Sequence, residues 1–340
     1  MGIIDGIRRG VAVLGAGGAG DVVSAYMLCL MLRRLMNVRK CTPVAILWER
    51  WVIDPFPGPI PRALLRNVRT SSCVYVSSSS YAVRGSDFRF RPQASIIAEL
   101  ARTVIPSITL EYGVRGIREC IEELMGIGYE FILALDVGGD ILALGHEEEL
   151  WSPLTDALVL ASLTWFKASS VVGILAPGAD GELSHDYVIR RIEDVGRSGG
   201  LIGAIGLLKD LVEDYATVLK KTFTEAGRIP YMALRGVLGE VAIRGGSRRV
   251  KITPSSIITY LLDPCKVIEQ QPLPQALINT KSLAEALTKA EELGIPTELH
   301  LEIEIAKTYG CGPHTINKID WKTIRNKVKQ SLKTKKNKQH

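Results

Sequence analysis

At 340 residues, with 46% hydrophobic and 23% charged residues, the chain is long enough to bury a large core and too apolar to be disordered over most of its length. Its formal charge of +6 does not mark a nucleic-acid binder, because residues 318–340 hold eight Lys, one Arg and one Asp, a net of +8 that leaves −2 for the rest. That end reads as a basic, flexible tail, with weak, salt-sensitive contact to nucleic acid or another acidic partner as its second reading. The six cysteines show no CxxC and no regular spacing, so reduced thiols in a cytoplasm are expected. Cys311 and His314 stand close together but lack the two further ligands a zinc site needs.

In chain order, a short apolar strand over 11–14 ends at Gly15, and a helix is predicted over 21–36, apolar nearly all round as if wedged between a sheet and a neighbour. The stretch 11–32 is neither a membrane span nor a leader, since four glycines and Asp21 break it. A strand over 43–48 follows, then a proline-rich irregular segment to about residue 61, and a short strand over 74–76 that runs into serines 77–80. Helices over 93–103, 117–125 and 154–166 then alternate with strands over 108–111, 131–135 and 171–175. Such alternation predicts right-handed βαβ units and an α/β fold with a doubly wound, mostly parallel, Rossmann-like sheet over residues 1–200. Residues 201–317 read as an irregular α+β part packed on that core. There, helices are predicted over 185–195 (bridging the boundary), 207–223 and 282–293, and strands over 249–252 and 257–261. The helix over 282–293 opens on Ser282 and stops at Gly294 before Pro296. Residues 318–340 are the tail, with 321–325 extending a last helix before it.

Gly15-Ala16-Gly17-Gly18-Ala19-Gly20 satisfies G-x-G-x-x-G directly after a strand and at the start of a helix. Glycines let the backbone turn tightly and approach an anion, and a helix start offers free N–H groups and a positive dipole end. Close helix–strand packing is the plainer alternative, but one turn rarely needs four glycines. Glu49, at the end of the second strand, is the candidate for a ribose hydroxyl, although it lies beyond the roughly twenty residues usual for that role. Asp21 conflicts with a simple dinucleotide site, because a carboxylate at the helix start competes with phosphate. It either caps the helix or needs a divalent cation to reconcile the two.

Ligands bind outside the carboxyl ends of the strands in such sheets. Reading those ends in order gives Asp21, then Glu49 and Asp54, Glu111, Asp136 and Asp140, and Asp180 with Glu182. Asp136 and Asp140 bracket two glycines after a fully apolar strand, so both can face one crevice, where like charges require a counter-ion or a shared proton. Mg²⁺ is the economical answer. Arg50, Arg62 and Lys167 are candidate phosphate contacts or plain surface charges. Ser152 reads as a helix cap, as do Ser184 and Asp186, while His146 and His185 are loop histidines with no nucleophile nearby in sequence. No G-x-x-x-x-G-K-[ST] or H-E-x-x-H occurs.

The leading expectation is an Mg²⁺-dependent enzyme that binds a nucleotide such as ATP, or another phosphorylated small molecule, for phosphoryl transfer or hydrolysis. Gly15, Gly17, Gly18 and Gly20 would cradle phosphate, Asp21, Asp136 and Asp140 would hold metal, and Asp136 and Asp140 would be catalytic. The alternatives are an NAD(P)-dependent oxidoreductase with Glu49 on the ribose and no metal, and a non-catalytic nucleotide-binding protein.

Several segments taken together resemble an uncharacterised, mainly archaeal family, domain of unknown function 1152. They are Gly17-Gly18-Ala19-Gly20-Asp21-Val22-Val23, Trp48-Glu49-Arg50, Asp54-Pro55-Phe56-Pro57-Gly58-Pro59, Asp136-Val137-Gly138-Gly139-Asp140, Ser152-Pro153-Leu154-Thr155-Asp156 and Gly178-Ala179-Asp180-Gly181-Glu182-Leu183. The likeness extends more loosely to Thr253-Pro254-Ser255-Ser256, Tyr260 and Asp263-Pro264. It implies a shared α/β fold and an archaeal, cytoplasmic setting, but no reaction. The lysine-rich end looks like an addition outside it.

Overall fold

The computed structural model describes residues 2–339, with side chains through Lys333. Its strands are β1 (Val11–Gly15), β2 (Cys41–Ile46), β3 (Leu65–Thr70), β4 (Val74–Arg84), β5 (Phe88–Phe90), β6 (Ile105–Ile108), β7 (Phe131–Val137), β8 (Ser170–Leu175), β9 (Leu201–Gly206), β10 (Gly239–Ile243), β11 (Arg248–Ile252) and β12 (Ile258–Leu262). Ten of them form one mixed sheet, ordered β3-β4-β6-β2-β1-β7-β8-β12-β9 with β5 beside β4, while β10 and β11 make a separate hairpin. The centre, β6-β2-β1-β7-β8, is parallel throughout. Both margins are antiparallel.

Full burial is the reason the central strands read as unbroken apolar runs. Along β1, Ala12 and Leu14 point into one hydrophobic cluster with the helices Gly113–Gly126 and Pro153–Ser162. Val11 and Val13 point into the other, with the helices Asp21–Met36 and Gln93–Ala101. The sheet is therefore covered on both faces. β1 pairs parallel with β2 on one side and β7 on the other, so the carboxyl ends of all three lie side by side at one end of the sheet.

Several elements differ from the sequence expectation. β6 ends at Ile108, because Leu110–Tyr112 forms a 3-10 turn closed by Gly113 at φ 56°. β4 continues through serines 77–80, opposite a bulge at Asn67, where the Ser80 hydroxyl donates to the Asn67 carbonyl at 2.6 Å. The helix predicted over 207–223 is shortened to Val212–Leu219 after a 3-10 turn. β12 joins the main sheet antiparallel to β8, and β9 pairs antiparallel with β12, so one sheet runs across the expected boundary at residue 200. The expected flexible tail is instead the helix Trp321–Gln339. Its Ile324, Val328 and Leu332, spaced by four, bury against Trp51, Trp151, Leu301 and Ile305, a stripe that the surrounding lysines obscure. The expectation of reduced thiols is corrected as well: Cys29–Cys41 and Cys73–Cys120 are disulfides, and Cys265 and Cys311 are free. Both bridges join partners brought together by the fold, the first tying the helix Asp21–Met36 to β2 and the second tying the chain before β4 to the helix Gly113–Gly126, which regular spacing does not reveal. No described helix is long and apolar enough to cross a membrane.

The packed C-terminal helix makes a direct prediction. Ile324→Ala, at a fully buried position, is expected to lower unfolding free energy in urea by about 2–5 kcal/mol. A change below about 0.5 kcal/mol would instead be the behaviour of a loosely attached tail.

Candidate functional site

At the carboxyl ends of β1, β2, β7 and β8 lies a cavity of about 530 Å³, within the range that takes nucleotide-sized ligands. Gly17, Gly18, Gly20, Asp21, Glu49, Asp136 and Asp140, all singled out in the sequence, line it. Gly15 does not. A Cβ there would meet the Asp21–Val22 backbone at 2.7 Å, so this glycine serves close packing of strand against helix.

Three amides of the glycine loop donate within the chain. The Ala16 N–H donates to the Leu135 carbonyl at 2.8 Å and the Ala19 N–H to the Trp48 carbonyl at 3.0 Å. The Gly17 N–H donates to Asp21 Oδ2 at 2.9 Å. The anion received at this helix start is thus the chain's own Asp21 carboxylate, whose position in the first turn also favours it electrostatically. Gly18, at φ 83°, turns the loop beneath the Trp48 carbonyl.

A cluster of aspartates surrounds this carboxylate. Asp136 is the penultimate residue of β7, and its Oδ2 accepts the Ile141 N–H at 3.0 Å. Gly138 and Gly139, at φ 135° and 113°, then turn the chain sharply enough to bring Asp140 back beside it. Asp180, on the loop after β8, accepts the Glu182 N–H at 2.7 Å through Oδ1. Asp156 comes from the first turn of the helix Pro153–Ser162. One carboxylate oxygen from each of Asp136, Asp140 and Asp156 lies within 4.8 Å of the others. Both oxygens of Asp156, and Oδ2 of Asp180, are buried with no hydrogen-bond partner among the described residues.

Burial dominates the titration of this cluster and mutual repulsion adds to it. Asp136 is pushed up to about 7 by burial and by Asp180, and Asp180 to about 6 by burial and by Glu182. Asp21, Asp140 and Asp156 are raised well above the ordinary carboxylate range, again by burial first and by the neighbouring aspartates second. Charges packed this closely out of water need protons or a cation. The donor set is all carboxylate oxygen, which suits a hard divalent cation such as Mg²⁺ or Mn²⁺ rather than zinc.

Other acids near the cavity serve the framework. Glu298 accepts the Leu154 and Thr155 N–H groups at 3.0 and 2.8 Å and so caps the helix start expected to be capped by Ser152. The Ser152 hydroxyl donates to Asp140 at 3.3 Å instead. Glu302 accepts the Trp48 indole N–H and the Gly58 N–H. Glu49 Oε1 accepts the Gln93 N–H at 2.8 Å. Burial raises both Glu49 and Glu302 to about 8. Asp54 pairs with Arg84, and Glu111 accepts the Arg62 N–H, both away from the cavity. His185 is likewise outside the cavity lining, held between Asp186 and Ser255 at 2.9 and 2.8 Å.

Beside Asp180 and Glu182, Arg244 and Arg248 line the cavity from the β10–β11 hairpin; Arg325 does so from the C-terminal helix and Arg50 from beyond the end of β2. Four of the five tryptophans in the chain, Trp48, Trp51, Trp151 and Trp321, also line it. Of the cations singled out in the sequence, Arg50 lines the cavity, whereas Arg62 and Lys167 do not. Sequence reading missed Asp156 as a member of the cluster, because Ser-Pro-Leu-Thr-Asp looks like an ordinary helix start. It missed Arg244 and Arg248 because a short glycine-containing hairpin carries no periodic signal.

Residues 12–306 match the family described as Protein of unknown function (DUF1152), and the chain belongs to that family. No curated protein and no solved structure matches it.

The buried acids set a pH dependence. A carboxyl whose folded pKa lies above its unfolded value binds more protons in the native state, so its favourable contribution is present at low pH and is lost as pH rises through the folded value. In EDTA, the urea midpoint is expected to fall between about pH 5 and 8, spanning the values of Asp180, Asp136, Glu49 and Glu302. Each group contributes about 1.4 kcal/mol per unit of raised pKa. A midpoint that rises across this interval would contradict the placement of these acids.

Proposed function

We propose that this member of the DUF1152 family is a divalent-cation-dependent enzyme that acts on a nucleotide or another phosphorylated small molecule, by phosphoryl transfer or hydrolysis. The observation that carries this reading is Asp156, whose two buried, unpartnered oxygens adjoin Asp136 and Asp140 beside the glycine loop. Asp136, Asp140 and Asp156 would hold the cation, and Asp21, fixed by the Gly17 N–H, would orient from the neighbouring helix start. When bound, Mg²⁺ or Mn²⁺ supplies charge neutralisation at a phosphoryl oxygen and a lowered pKa for water. Asp180, brought to about 6 with one oxygen unpartnered, is suited to exchange a proton near neutral pH as general base or acid. The tryptophan-lined walls offer a place for a flat, apolar group such as a base.

The parallel strands, taken in chain order, run third-second-first-fourth-fifth across the sheet. We read this as a doubly wound, Rossmann-like arrangement, with the cavity where the order reverses. The nicotinamide alternative draws less support, because Asp21 already receives the Gly17 amide at the helix start where a pyrophosphate would sit.

The test is thermal unfolding in EDTA, Mg²⁺ and Mn²⁺, each with and without ATP, GTP or NAD⁺. Cation-dependent stabilisation is expected, about 2.7 kcal/mol at a hundredfold excess over Kd, with a further increase from a nucleoside triphosphate. Asp156→Asn should remove the cation response while raising the stability of the cation-free protein, since it deletes an uncompensated buried charge. Identical curves in EDTA and Mn²⁺, or stabilisation by NAD⁺ alone in EDTA, would overturn the assignment.

A further inference from the structure

The sequence places the phosphate of a ligand on the glycine loop, yet that loop donates the Gly17 N–H to Asp21. The cavity offers a second receiver for an anion, beside the loop that carries Asp180 and Glu182. Arg248 lines the cavity with its side chain only 6% exposed, and none of its three guanidinium nitrogens has a hydrogen-bond partner among the described residues. Such a group is costly to bury unless something accepts its hydrogen bonds. The nearest carboxylate, Glu182, does not. It lies 3.8 Å from Arg248 and 3.6 Å from Arg244, too far for a hydrogen bond. Glu182 Oε2 is instead held by the Trp151 and Ser152 N–H groups at 2.7 and 2.9 Å. Glu182 therefore offsets the charge of the arginines while leaving their N–H groups available. Arg244 repeats the pattern, with a buried, unpartnered Nε on a side chain that is 24% exposed.

We infer that Arg248 and Arg244 form the anion subsite of this cavity and take a terminal phosphate of the ligand in a forked grip, while the glycine loop serves to position Asp21. A planar guanidinium with several free donors matches phosphate geometry bidentately. The inference deepens the proposed function and rests on it for the aspartates: a ligand that meets both them and the arginines carries at least two anionic groups, one toward the aspartates through a cation and one on the arginines. Organic diphosphates and nucleoside di- or triphosphates are the ligand class with this character. Arg325 and Arg50, on the same cavity, add to the positive field. Both arginines of the subsite come from one hairpin, β10–β11, which is separate from the main sheet.

Pyrophosphate is the probe, followed through quenching of the cavity tryptophans and by calorimetry. With Mn²⁺ present, Arg248→Gln is expected to weaken pyrophosphate binding at least tenfold and Arg244→Gln at least threefold, while the affinity for Mn²⁺ alone stays within twofold of the wild type in both variants. Arg248→Lys should recover only part of the loss, because an ammonium keeps the charge but not the fork. If Arg248→Gln fails to fold by circular dichroism, the more exposed Arg244→Gln decides. Pyrophosphate affinity within twofold of the wild type in the folded variants, or no pyrophosphate binding by the wild type at millimolar concentration, overturns the inference. The two readings fail separately. Loss of Mn²⁺ binding to the wild type defeats the cation site, whereas pyrophosphate binding that persists in EDTA and is sensitive to Arg248 keeps the arginine subsite without it.

Discussion

Carboxylates removed from water must be given protons, hydrogen-bond donors or a positive charge, and the upper side of this sheet gathers more of them than the fold itself satisfies. Asp21, Asp136, Asp140, Asp156 and Asp180 are all buried or nearly so and adjacent to one another. Part of the cost is met locally. Asp21 and Asp156 stand in the first turns of two helices, and Asp21, Asp136 and Asp180 each accept a backbone N–H. What is left over, the two oxygens of Asp156 and one of Asp180, is the feature around which the rest of the cavity makes sense.

Counting donors sorts the acids of this region by role. Glu298, Glu302 and Glu147 each accept two or more donors and fasten a helix start, a tryptophan and a loop. Glu182 is similar, and although burial acts to raise it, Arg244, Arg248 and the backbone donors hold it below the usual carboxylate value. These residues are held by their donors whatever the protein binds. The aspartate cluster is different, because both oxygens of Asp156 and one of Asp180 are left without donors among the described residues. An electrostatic arrangement that destabilises the empty fold is retained only where something bound in the native state reverses the penalty, and that is why the cluster reads as a site and the glutamates as scaffolding.

The parallel centre of the sheet was legible in the sequence because full burial leaves an unmistakable record. Apolar runs ending in glycine, alternating with amphipathic helices, located β1, β2, β7 and β8 to within a few residues. The margins were not, since β4 exposes serines and replaces part of its ladder with hydroxyl contacts at the Asn67 bulge, and β9 is an apolar edge strand with two glycines and no charge. In the site, Asp136 and Asp140 were visible because two glycines directly after a buried strand make a turn tight enough to set both flanking carboxylates on one rim. Gly15 was misread because a glycine that avoids a backbone collision and one that approaches a ligand look the same in a motif. Asp156, Arg244 and Arg248 could not be found by spacing at all. Their meaning depends on the absence of a hydrogen-bond partner, which only three-dimensional packing reveals.

The C-terminal helix joins these threads. One side of it carries Ile324, Val328 and Leu332 into a small core with Trp51 and Trp151, and Trp321 and Arg325 on the same helix reach the cavity. Arg325 and Lys329 also lie over the Trp151 ring, at 5.1 and 4.9 Å from its centroid. Arg325 thus brings positive charge to the cavity itself, and Lys329 brings it to the adjoining Trp151. A positive element against an acid-rich cavity lowers the self-repulsion of the aspartates over long range and favours the approach of anionic ligands, an effect that salt screens within about 8–10 Å. Taken alone, the lysines suggest a solvated tail. In the fold, the helix that carries them sets Trp321 and Arg325 in the wall of the cavity and buries Ile324, Val328 and Leu332 beneath it.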